Sequence, residues 1–312
     1  SFENAKANVQ FSGETLTVPD WSATLDGETI SGSASIDQLK TAPRITAQAT
    51  ATNLDLTKIL RSAAGNNQKA MLTRGSASGR LAVRWESTTN SLHGQGTVRL
   101  TSVVLPGLPP IDSISTSKFE IRDSRLTLRG FQASLWGGAA RGTATIDLGK
   151  SADRLADVEL ERVERIDFAR LAAAWPVGRA EPRGKLSGAG KFHIPGNTPN
   201  RVVFGAGEFN LESGSIFGLP VTQAAGTLDA WNASTHEIVT GRLQPRRGKS
   251  GKQAAEPRIL VQIREAKAAR GTAQGAVVFA LTRPVAYDAN LRFSGLDLTT
   301  VARSMFASQQ QV

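Results

Sequence analysis

Apolar and polar residues alternate with a period of two through most of this chain. Leu92, Gly94, Gly96, Val98 and Leu100 alternate with His93, Gln95, Thr97 and Arg99, and Ile30, Gly32, Ala34 and Ile36 alternate with Ser31, Ser33 and Ser35. Successive side chains of a strand point to opposite faces, so these segments predict strands with one apolar and one wet face. Val285, Tyr287, Ala289, Leu291 and Phe293 repeat the pattern, and turn signals such as Asp26-Gly27, Trp136-Gly137-Gly138 and Pro195-Gly196-Asn197 separate the runs. Strands this close in sequence are joined by hairpins, which makes the sheet antiparallel. Three short stretches change to helical spacing. Each opens on a capping aspartate (Asp55, Asp167, Asp297), with apolar residues at Leu56, Ile59 and Leu60, at Phe168, Leu171 and Trp175, and at Leu298, Val301 and Met305. They predict short lids or end plugs on a long sheet.

The elements recur at a fixed spacing, which marks a repeated supersecondary unit. Leu16-Thr17-Val18, Trp21, Ala23, Leu25, Gly27, Gly32, Ala34, Ile36 and Asp37 align without a gap, 110 positions on, with Leu126-Thr127-Leu128, Phe131, Ala133, Leu135, Gly137, Gly142, Ala144, Ile146 and Asp147. Gly96, Val98 and Leu100 match Gly207, Phe209 and Leu211 at 111 positions, and Asn53-Leu54-Asp55-Leu56 matches Arg165-Ile166-Asp167-Phe168 and Gly295-Leu296-Asp297-Leu298. This reading divides the chain into a partial leading β-repeat over residues 1–69, a complete β-repeat over 70–182, and a second complete β-repeat over 183–312 with a basic insertion at 241–258. Residues 63–69 and 176–182, rich in Gly, Asn, Pro and charge, are the linker candidates.

Composition narrows the function classes. Of 312 residues, 40% are hydrophobic and 21% charged, which fits a folded chain, and 6% aromatics beside 30 glycines argue for many short strands over a helical bundle. With no cysteine, a disulfide framework and any thiolate site are excluded. His93, His193 and His236 stand far apart, in no spacing that puts two metal ligands on one face. No catalytic, cofactor or metal residue is therefore nominated, and the expectation is a protein that is not an enzyme.

The remaining motifs have ordinary readings. Gly248-Lys249-Ser250 lacks the Gly that a phosphate loop needs five positions earlier, where Leu243 stands; Asn232-Ala233-Ser234 is a chance-level glycosylation tripeptide; and the recurring aspartates read as turns and caps. The net charge of +10 points to an anionic partner. Half of it lies in 241–258, where Arg242, Arg246, Arg247, Lys249, Lys252 and Arg258 face one acid, Glu256. The first five of these are the candidate headgroup contacts, and the span reads as a surface loop. No aromatic interleaves its charges, which removes the stacking platform that single-stranded nucleic acid needs, so no nucleic-acid partner is expected. The chain begins with Ser1 and no apolar run reaches the 18 residues of a membrane span, so it reads as a segment of a longer precursor.

The stretch "GTVRLTSVVLPGLPPIDSISTSKFEIRDSRLTLRGFQASLWGGAARGTATIDL", the helix "RIDFARLAAAW" and the stretch "GAGEFNLESGSIFGLPVTQAAGTLDAW" resemble the AsmA-like family, particularly the C-terminal region of AsmA-, YhdP- and TamB-type envelope proteins of Gram-negative bacteria. The resemblance runs from about Leu16 to Val301 and rests on a pattern of strands and glycines. It implies an elongated, twisted antiparallel sheet of repeated units curled into an open groove, with a few short helices. It further implies a periplasmic location, anchorage to the inner membrane through a segment not in this chain, and movement of phospholipid between inner and outer membrane.

The physical and family readings meet in the apolar strand face. A sheet with one face of Leu, Val, Ala and Gly must bury it against itself or against a ligand. The expectation is that phospholipid acyl chains lie along a groove lined by Val98, Leu100, Leu126, Leu128, Leu135, Phe209 and Leu211. The alternative is a structural or assembly scaffold for outer-membrane biogenesis that carries no lipid and recruits other envelope proteins by strand addition.

Overall fold

The two-residue alternation folds into hairpin-linked strands, as the hydrophobic pattern requires. The computed structural model describes residues 2–25, 27–58, 74–104, 110–122, 124–147, 154–173, 183–195, 204–216, 219–232, 236–239, 242–245, 257–280 and 286–307. Hydrogen bonding joins seventeen strands into one antiparallel sheet, and two more form a separate two-stranded sheet. The linker candidates 63–69 and 176–182 lie outside the described residues. The chain forms two compact units, Ser1–Leu135 with Gly142–Lys150 and Trp136–Arg141 with Ser151–Val312.

In the first unit, β1 (Phe2–Ala7) and β2 (Gln10–Ser12) both pair with β3 (Thr15–Leu25) as two pieces of one interrupted strand. From β3 the chain meanders through β4 (Glu28–Asp37), β5 (Arg44–Asp55), β6 (Arg74–Glu86), β7 (Ser91–Val104), β8 (Ile111–Arg122) and β9 (Arg125–Leu135), each antiparallel to the last. β10 follows at Gly138–Asp147. The spans of β9 and β10 are those of β3 and β4 moved on by 110 residues. The sequence repeat is thus a repeat of strands.

The second unit continues with β11 (Arg154–Asp167), β12 (Arg183–Pro195), β13 (Phe204–Ile216), β14 (Leu219–Asn232), β17 (Pro257–Ala268), β18 (Gly271–Ala280) and β19 (Ala286–Ser294) as a second antiparallel meander. Between β14 and β17 the extra span holds the small hairpin of β15 (His236–Val239) and β16 (Arg242–Pro245). Part of the segment read as a basic loop is therefore strand: Arg242 pairs with Val239 and Leu243 with Ile238. Arg258, at the other end of that segment, belongs to β17.

Helices start where the capping aspartates predict. The helical residues 56–58 (α1) follow Asp55, α2 (Phe168–Ala172) follows Asp167, and α3 (Leu298–Ala307) follows Asp297. Asp55 Oδ1 accepts from the N–H groups of Thr57 and Lys58 at 2.9 and 3.4 Å, and Asp167 Oδ1 from those of Ala169 and Arg170 at 3.0 and 3.3 Å. Each aspartate thus satisfies N–H groups that a helix start leaves unpaired. Just before the first two helices the strand bulges at a left-handed residue, Asn53 (φ 57°) or Arg165 (φ 52°). In both copies the bulged N–H is taken by a serine of the next strand, Ser78 Oγ at 2.8 Å and Ser187 Oγ at 3.0 Å. A bulge leaves one backbone group without its ladder partner, and the serine supplies it.

An apolar sheet face as candidate functional site

Directly paired residues of an antiparallel sheet point to the same face, so the register decides what each face carries. In the first unit one row runs Val18, Ala34, Ala47, Val83, Gly94, Ile121, Leu126 from β3 to β9, and the next runs Trp21, Gly32, Ala49, Leu81, Gly96, Phe119, Leu128. Neither row contains an ionisable side chain. The adjacent row on the opposite face is Thr17, Ser35, Thr46, Arg84, His93, Arg122, Arg125. Val18 and Leu128, matched by the sequence repeat, therefore stand on one face of a shared sheet.

The second unit is built alike. Leu160, Gly190, Gly207, Leu228, Val261, Val277 and Ala289 form one apolar row, and Val163, Gly188, Phe209, Gly226, Ile263, Gly275 and Leu291 form another. Its opposite face carries ion pairs such as Lys191 with Glu159 at 2.7 Å and Arg165 with Glu212 at 3.6 Å, and His193 bonded to Asp157.

The apolar faces are not uniformly covered. In the second unit Leu211, Val221, Ala224, Ala266, Ala268 and Ala273 form a buried cluster, with Phe168 of α2 against it. In the first unit Val103, Ile111, Phe131, Ala133 and Leu135 are buried. Away from these clusters the face opens. Val18, Trp21, Ile45, Val83, Trp85 and Leu126 in the first unit, and Phe192, Leu228, Val261 and Phe279 in the second, are only half-buried. Water removed from such a surface is worth roughly 25 cal/mol per Å², so an uncovered apolar face is a standing demand for a partner.

Of the seven residues nominated for an acyl-chain lining, Val98, Leu100, Leu126, Leu128 and Phe209 lie on this half-buried surface. Leu135 and Leu211 lie on the same faces but are buried, with 8% and 2% of their surface exposed, Leu211 within the buried cluster of the second unit. The register brings Val98, Leu100, Leu126 and Leu128 together in the first unit, and Phe209 and Leu211 in the second. Trp21, Leu81 and Phe119 belong to the same rows and were missed, although alternation alone marks Leu81 and Phe119 as inward. Among the proposed headgroup contacts, Arg242 lies on β16, and Arg246, Arg247, Lys249 and Lys252 lie outside the described residues.

Aromatic rings lie across glycines on these faces. A Cβ built on Gly32 would stand 2.9 Å from the ring of Trp21, and one on Gly226 would stand 2.9 Å from Phe209, both rings belonging to direct cross-strand partners. The ring fills the space the glycine leaves, so the apolar surface stays low and continuous. Low relief suits a ligand held by many weak contacts.

Three aspartates titrate away from their ordinary range. The Thr57 hydrogen bonds hold Asp55 low and the Thr300 hydroxyl holds Asp297 low, as befits capping carboxylates, while burial pushes Asp229 of β14 up. None lies on the apolar rows. Among the described residues no group of three or more His, Asp or Glu could hold a metal ion, and no described helix is long and apolar enough to cross a membrane. Compared with protein-family models, with curated proteins and with solved structures, the chain gives no match.

Proposed function

We propose that this chain carries phospholipid acyl chains along its apolar sheet face, as the periplasmic segment of an inner-membrane-anchored, AsmA-like protein working between the inner and outer membranes. The observation that carries the reading is the pair of apolar rows crossing seven successive strands without an ionisable residue, half-buried over much of their length. In this reading the sheet curls about that face to form a groove. Each buried CH₂ contributes about 0.8 kcal/mol, so a chain lying on Val18, Val83 and Leu126 is held firmly in total and weakly at any point. A ligand held so can slide, and sliding needs no catalytic group. The periplasmic setting and the membrane anchor rest on the family resemblance.

Native mass spectrometry of the purified chain, followed by organic extraction, tests this. The expected result is bound phospholipid, lost from a Leu81→Glu, Val83→Glu variant that keeps its strand content. Recovery of no phospholipid from the unaltered chain would favour the scaffold for outer-membrane biogenesis, in which the sheet buries its own apolar face.

A further inference from the structure

The polar face of the first unit holds a cluster of arginines that the acyl-chain reading does not use. Arg122 and Arg125 are direct cross-strand partners at the β8–β9 turn, Arg122 also pairs with His93, and His93 with Arg84. Four basic side chains thus share one row, about 4.8 Å apart from strand to strand. Like charges directly opposite one another weaken a strand pair, and an anion between them reverses the sign. Arg122, Arg125 and Arg129, with Thr127, Glu120 and Asp147, line an open depression of about 450 Å³. Arg129 reaches Glu120 at 3.9 Å. Three guanidinium groups against two carboxylates leave the depression cationic.

The internal repeat shows that the fold does not require these arginines. In the leading copy Ser12, Thr15 and Pro19 occupy the matching positions 110 residues earlier, and Thr15 donates its hydroxyl proton to Asp37, the counterpart of Asp147, at 3.1 Å. The same strands therefore form with neutral residues where the second copy places three positive ones. Something other than strand pairing accounts for them.

We propose that Arg122, Arg125 and Arg129 form a site for the phosphate of an anionic phospholipid headgroup, on the sheet face opposite the acyl-chain rows. The planar guanidinium fork matches phosphate oxygens in pairs, and Thr127 adds a hydroxyl donor. An open depression on a wet face fits a group presented by a membrane surface. The site rests on the charge and register of this face, so it and acyl-chain carriage can fail independently.

The test is co-sedimentation of the full chain with phosphatidylglycerol or phosphatidylcholine vesicles across a salt series, with inorganic phosphate as a soluble competitor. Binding to the anionic vesicles is expected, falling with salt, competed by phosphate, and weakened about fivefold for each arginine replaced in Arg122→Gln and Arg125→Gln. Unchanged binding by the double variant, with its strand content intact, would overturn the proposal. So would binding of inorganic phosphate with no binding to anionic vesicles. Should the double variant not fold, Arg129→Gln alone gives the same reading. The lipid extracted from the arginine variants is expected to match that of the unaltered chain, which separates this outcome from failure of acyl-chain carriage.

Discussion

Phe119 of β8 lies across Gly96, its direct partner on β7, so closely that a Cβ on the glycine would stand 2.8 Å from the ring and 2.0 Å from the carbonyl oxygen of Arg80. Phe119 is buried to 8% exposure by this contact and its neighbours. Gly96→Val must therefore move both a ring and a neighbouring backbone. Its expected cost is about 1–3 kcal/mol, the range for overpacking, read as a lowered denaturant midpoint.

The helix caps give a second prediction. Asp167→Ala removes the acceptor for the N–H groups of Ala169 and Arg170 and is expected to cost about 1 kcal/mol, with most of it restored by Asp167→Ser. Thermal unfolding of the two variants against the unaltered chain checks this.

The bulge serines give a third. Ser187→Ala leaves the Arg165 N–H without its hydroxyl acceptor, and Ser78→Ala does the same to Asn53. Each is expected to lose about 1 kcal/mol, and hydrogen exchange at the bulged amide is expected to quicken in the altered copy alone.

The pH dependence has two opposed parts. Asp55 and Asp297 titrate low in the fold, so their contribution is complete above the ordinary aspartate value of about 3.9 and is lost as pH falls through their folded values. Asp229 titrates high because burial disfavours its charge, so its contribution is present below its ordinary value and is lost as pH rises through the folded one. Asp229→Asn is therefore expected to raise stability at pH 7 and to leave it little changed at pH 3. Denaturant midpoints at the two pH values, giving the reverse order, would contradict the assignment.

Much of this architecture was legible in the chain, for identifiable reasons. Alternation gave β4 and β7 because a half-wet sheet forces a period of two, and the capping aspartates marked all three helix starts because a helix start needs side-chain acceptors. The bulges were not legible: nothing about an arginine announces a left-handed conformation, and Arg165 adopts one because Ser187, on another strand, receives its amide. Burial of Leu135 and Leu211 was hidden for a related reason. Alternation assigns a face but not a position along it, and position decides whether a residue meets the buried cluster or the open surface. The arginine depression joins positions 122, 125, 129 and 147, which only the strand register brings together.

The central claim, that lipid lies on the apolar face, is tested most directly by a photoreactive side chain at Val98 compared with one at Thr97. These neighbours on β7 point to opposite faces, Val98 half-buried and Thr97 exposed. Irradiation in Gram-negative cells, purification and mass spectrometry of the adducts would read the contact at each position. The account predicts acyl-chain adducts of phospholipid at Val98 and none at Thr97, whose face carries only the proposed headgroup site. Equal labelling at both positions, or protein adducts alone at Val98, would contradict it.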